Sequence, residues 1–102
     1  MAADIVIRDV PEEGRFVAEL GSESASAWYA RDGKILRFFR VDISDSLIAD
    51  GVGIQLVRVA LAHARERGLL VEPACEFVIG YMRDNPETQD LLTSAGWRLL
   101  RQ

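Results

Sequence analysis

The chain has 102 residues, 49% of them hydrophobic and 27% charged, enough for one domain with its own core and too few for two. A formal net charge of −4 argues against nucleic-acid or anionic-membrane partners, which select a basic face. The single cysteine, Cys75, excludes an internal disulfide. No apolar run nears the ~20 residues a bilayer needs, and MAADIVIRDV lacks the basic and long apolar segments of a signal peptide, so a cytoplasmic domain is expected.

The first half reads as strands. DIVIRDV alternates apolar and polar residues before a turn at Pro11 and Gly14, and RFVAEL alternates again with Phe16, Ala18 and Leu20 on one side. A turn over Gly21–Ser24 leads into ASAWYAR. Asp32-Gly33 then predicts a type I′ hairpin into a long strand from Lys34 to Ile43. The period changes at Gly51, after which Val52, Leu56, Val57, Ala60, Leu61 and Ala64 follow a 3.6-residue spacing to a stop at Gly68. LLVEP is a short apolar strand, expected parallel to an earlier one. CEFVIGYMRDN predicts a second helix that faces Phe77, Tyr81 and Met82 to the sheet and ends before Pro86. ETQDLLTSAGW predicts a short helix and a turn at Gly96, and WRLLRQ a final extended piece. The fold class is therefore α+β: an antiparallel four-stranded meander, then helix, parallel strand, helix and a short C-terminal strand, in one domain over 1–102.

Chemistry concentrates at IADGVGIQ, Ile48 to Gln55. A glycine-bearing loop opening a helix leaves aligned backbone N–H groups that suit a phosphate. A lone G-x-G equally serves only to shape a tight loop, with Asp50 or Ser46 as the cap. Cys75 stands at a strand-to-helix junction, where a helix dipole favours thiolate and hence reactivity; the plainer reading is a small buried hydrophobe. His63 reads as a surface residue, and no residue set has metal-ligand spacing. Trp28 and Trp97 read as core or interface.

With these elements in order, the chain resembles the small single-domain branch of the GNAT-superfamily N-acetyltransferases, from about Ile5 to Leu92. The most specific stretch is ARERGLLVEPACEFVIGYMRDNPETQDLL, which matches a "P-x-C-x-[FY]-V" element, a tyrosine and an "[HN]-P-E-x-x-D-L" tail. The residues carrying the match are Pro73, Cys75, Phe77, Val78, Tyr81, Asn85, Pro86, Glu87, Asp90 and Leu91. The resemblance implies a GNAT-like fold, acetyl-CoA as donor, and an amine of a small molecule or protein lysine as acceptor. It places the pantetheine arm along Phe39 to Ile43, with Val41 and Ile43 as contacts and N–H groups near Val41 polarising the thioester. It places the pyrophosphate on Gly51, Val52, Gly53, Ile54 and Gln55, makes Tyr81 and Asn85 cofactor contacts, and transfers a candidate catalytic role to Cys75.

The loop departs from the branch's "R-G-[KR]-G-[IL]-[GA]" pattern. Ile48 replaces arginine, Ala49 replaces glycine and Asp50 replaces the basic residue, whereas Gly51, Val52 and Gly53 conform. Phe38 and Arg40 replace the His and Glu of "T-H-T-E-V". Arg40 compensates only if it reaches the loop, and Asp50 turns outward or caps the helix in the anion's place. Two readings follow: an N-acetyltransferase with weakened acetyl-CoA affinity, or a non-catalytic scaffold whose apolar Phe38, Phe39 and Ile48 cover a vacated pocket or form a homodimer patch.

Overall fold

The computed structural model describes residues 5–101. Five strands, β1 (Val6–Val10), β2 (Arg15–Leu20), β3 (Glu23–Asp32), β4 (Ile35–Asp42) and β5 (Leu70–Pro73), form one sheet in sequential order. The first four pair antiparallel and β5 runs parallel to β4. A parallel neighbour requires a crossover, here α1 (Asp45–Ala49) and α2 (Val52–Glu66). α3 (Glu76–Asp84), a 3₁₀ segment (Pro86–Leu91) and α4 (Ser94–Arg101) complete the chain.

The β3–β4 turn is shifted one residue from expectation. Asp32 pairs with Ile35, so the loop residues are Gly33 and Lys34. Gly33 takes φ +59 while no non-glycine residue among the described ones has positive φ, as a type II′ turn requires and a type I′ turn forbids. Asp32 is the last strand residue because its backbone continues the ladder.

The core lies on one face of the sheet. Phe16, Ala18, Ala25, Ala27, Leu36 and Phe38 are at most 2% exposed. α2 turns Leu56, Val57, Ala60, Leu61 and Ala64 onto them. The facing alanines at 18, 25 and 27 leave room for the helix to approach, and Leu47, Val78 and Met82 close the ends of this layer. The helix stops as the glycine predicts: Gly68 N–H bonds to Arg65 O and Leu69 N–H to Ala64 O, the two bonds of a Schellman ending. No helix among the described residues is long and apolar enough to cross a membrane.

On the opposite face, among the described residues, side chains seal the sheet. Arg15 donates to Ser26 Oγ at 2.7 Å and stacks over Trp28 at 5.0 Å. Val10 and Val17 are 6% and 4% exposed. Trp28 is thus a half-buried residue of this open face, while Trp97 on α4 is exposed.

The C-terminal segment contradicts the expected strand. Only Leu92 bridges the sheet, beside Val71. Thr93 Oγ1 then accepts the Gly96 N–H at 3.0 Å, a side-chain cap that starts α4. Gly96 is inside the helix, where a Cβ would meet Leu92 Cδ2 at 2.9 Å and Val71 O at 3.0 Å. We expect Gly96→Val to push α4 off β5 and cost roughly 1–3 kcal/mol, read as a lower urea midpoint.

Candidate functional site

β4 and β5 pair only from Ile35↔Leu70 to Phe38↔Pro73. The last rung is Ala74 N–H to Phe38 O at 2.7 Å. Beyond it the chain bends through Ala74 and Cys75 into α3, while β4 continues to Asp42 against β3 alone. At the same point β4 carries a bulge: Trp28 pairs with Arg40 and Tyr29 with Phe38, leaving Phe39 extra. A bulge reverses the alternation along its strand. Before it Leu36 and Phe38 face the core; after it Val41 and Ile43 do. Phe39 is left 48% exposed and Phe38 is fully buried, so Phe38 belongs to the core rather than to a surface patch. The main-chain groups of β4 past Phe38 form an open strand edge, the template an extended ligand can join.

Below that edge lies the glycine loop. α1, which the sequence did not suggest, interposes a turn between β4 and the loop. Ser44 caps it by accepting the Leu47 N–H, and Ser46 Oγ donates to Glu23 at 3.0 Å. Asp50 is the C-cap of α1 and leaves α2 uncapped: the N-cap is Gly51, at φ +77, with no side-chain bond. Neither Asp50 nor Ser46 is therefore the helix cap. Gly51 N–H already bonds to Ile48 O and Gln55 N–H to Gly51 O. The available donors narrow from the expected Gly51–Gln55 set to Val52, Gly53 and Ile54, whose N–H groups have no backbone acceptor among the described residues.

The two glycines do different things. A Cβ at Gly51 would meet nothing within 4 Å, so the outside of the turn is open, and positive φ excludes other residues there at low cost. A Cβ at Gly53 would lie 2.5 Å from Phe77 Cζ and 3.0 Å from Ile43 Cδ1. Gly53 thus lets Phe77 of α3 and Ile43 pack into the helix start, joining the loop to the open strand edge. Three unpaired amides, an open approach and no carboxylate of the helix's own first turn fit an anion, opposed by the exposed Asp50 alongside.

From Ile54 a groove of about 360 Å³ runs between α2 and α3 with its 3₁₀ extension. It brings Ile54 together with Tyr81 and Asn85, and adds Arg58, Arg65, Glu87 and Thr88. Asn85 Nδ2 donates to Tyr81 O at 2.7 Å, and its own carbonyl accepts from Thr88. Arg65 is committed to both oxygens of Asp90 at 2.7 Å and to Glu87 O, which holds the Asp90 carboxyl below its ordinary range. Arg58 is a groove residue that motif matching missed. Its signal was present all the same: an arginine at i+4 from Ile54, on the same helix face.

Other expectations shift with the geometry. Arg40 does not turn to the loop: its Nε donates to Asp42 Oδ1 at 2.8 Å, and Asp42 also accepts from Trp28 Nε1. Cys75 stands at the split, half-buried as the N-cap of α3. Burial pushes its thiol above the ordinary value, only partly offset by the amides of Val78 and Phe77, which disfavours the thiolate. His63 is not a surface residue. Its ring sits edge-on to Phe16 at 5.2 Å and its Nε2 3.5 Å from Asp9 Oδ2. Asp9 is held by Tyr29 Oη at 2.7 Å, far along α2 from the loop.

A family model described as GCN5-related N-acetyl-transferase matches residues 15–91, from the start of β2 to the end of the 3₁₀ segment. The fold is similar to the NMR solution structure of a GCN5-like candidate N-acetyltransferase from Staphylococcus aureus, with TM-score 0.68 and 25% identity over 86% of this chain and 87% of that one. None of the curated proteins matches the chain.

The state of Cys75 is open to direct measurement. Alkylation by iodoacetamide at pH 7 is expected to be slower than for an unperturbed thiol and to rise only as pH climbs past the usual ~8.5, followed by mass spectrometry; fast modification at pH 6 would mark a thiolate.

Proposed function

Because the chain belongs to the GCN5-related N-acetyltransferase family, we propose that it transfers an acetyl group from acetyl-CoA to an amine, borne by a small molecule or a protein lysine. The observation that carries this reading is the open edge of β4 standing next to a helix whose first three amides are unpaired. Bound acetyl-CoA supplies an activated acyl group, and the thiol leaves when the amine attacks.

The chain's own residues divide the remaining work. The edge at Val41 and Ile43 orients the pantetheine arm as an added strand. The bulge sends the Val41 N–H toward the side that β5 has vacated, where it stabilises negative charge developing on the thioester oxygen. The amides of Val52, Gly53 and Ile54 hold the pyrophosphate, with Tyr81 and Asn85 lining the groove beyond. Cys75, whose burial disfavours the thiolate, lines the acyl end instead of attacking it, since direct transfer to an amine needs no enzyme nucleophile.

Asp50 sets the affinity. A carboxylate ~4 Å from a phosphate charge costs ~1 kcal/mol in water-like surroundings, and Asp50 is exposed, so the penalty is about fivefold rather than prohibitive. We expect acetyl-CoA to raise the melting temperature: saturation at 100 Kd is worth ~2.7 kcal/mol, and each kcal/mol moves a domain of this size by about 4–8 °C. Asp50→Lys should shift it further, and acetyl transfer to a panel of amines should be detectable. Neither shift nor transfer at millimolar acetyl-CoA would leave the non-catalytic scaffold as the function.

A further inference from the structure

The loop has lost its basic residues at Ile48 and Asp50, yet the groove that leads away from it keeps one cation free. Arg58 lines that groove and has no hydrogen bond or ion pair among the described residues, in contrast to Arg65 two turns further on, which Asp90 and Glu87 O occupy. We propose that Arg58 supplies the cation missing from the loop, holding a phosphate of the coenzyme's nucleotide end in the groove between α2 and α3. This rests on the acetyl-CoA reading above and adds to it the residue that reads the nucleotide.

Helix geometry makes the reach possible. Arg58 lies seven residues past the Gly51 cap, ~10 Å along the axis. Side chains on a helix lean toward its N-terminus and cover the turn before their own Cα. Arg58 thus shares a helix face and the groove with Ile54, the last residue with an unpaired amide and itself 53% exposed. Unpaired amides at the loop and an unpaired arginine one turn along the same groove are donors of the kind that suits a phosphate. Glu87 is the carboxylate that lines the groove, and its backbone carbonyl sits against Arg65. It marks the far end, so phosphate is favoured at the loop side, where Arg58 is. Tyr81 and Asn85 form the opposite wall. The cation has in effect moved from the loop onto the second turn of the helix.

The test is calorimetric titration of the full chain with CoA, dephospho-CoA and pantetheine, for the unaltered protein, Arg58→Gln and Arg58→Lys. Arg58 is exposed, so both variants are expected to keep the parent melting temperature. Arg58→Gln should weaken CoA about tenfold (~1.4 kcal/mol), flatten the dependence of binding on salt, and leave pantetheine unchanged; Arg58→Lys should recover most of the loss. A loss shared by dephospho-CoA assigns Arg58 to the pyrophosphate, and a loss confined to CoA assigns it to the 3′-phosphate. Unaltered CoA affinity in Arg58→Gln, or an equal loss for pantetheine, overturns the role of Arg58 while acetyl-CoA binding stands. Absence of CoA binding by the unaltered protein overturns the acetyl-CoA reading itself.

Discussion

The parallel ladder between β4 and β5 lasts four residue pairs and then stops, and the remainder of the molecule is arranged around that stop. A strand edge left open in a sheet presents unpaired N–H and C=O groups, which proteins normally cover or blunt. Here the edge is kept and protected by position. β5 ends at Pro73, Ala74 N–H makes the last rung to Phe38 O, and the chain turns at once into α3. The bulge at Phe39 changes which β4 groups face the gap at the place where the gap opens. α1 and α2 then carry the chain from the end of β4 to the glycine loop and back along the sheet, so edge and loop are neighbours by construction.

Much of this was legible in the residues. The meander followed from alternation and turn chemistry, and α2 from a period that buries Leu56, Val57, Ala60, Leu61 and Ala64 with a glycine stop. Its failures have physical causes. α1 is a five-residue element whose burial rests on Leu47 alone, too short for a periodic signal. α4 was hidden because WRLLRQ is brief and its start depends on Thr93, whose cap precedes any apolar pattern. Gly96 reads as a turn residue by type, yet its small size serves close packing against Leu92 and Val71 O. His63 looked like a surface residue because its companions, Asp9, Phe16 and Tyr29, come from distant strands.

The site was legible in its backbone and less so in its charges. Gly51 is required by its φ, and the unpaired amides follow from any uncapped helix start. The location of positive charge does not follow from a motif. Arg40, the nearest arginine before the loop, is tied to Asp42 along its own strand, and Arg65 is tied to Asp90 across the groove. Proximity in sequence thus says little about which cation is free; that depends on which acids fold beside it.

Gly53 and Phe77 share one volume. The phenylalanine ring fills the space a side chain at 53 would need, and interiors packed to this density do not accept both. The helix start, the base of α3 and Ile43 of the β4 extension therefore meet at a single point. A side chain at position 53 would make the Phe77 ring turn aside or give way to a smaller residue.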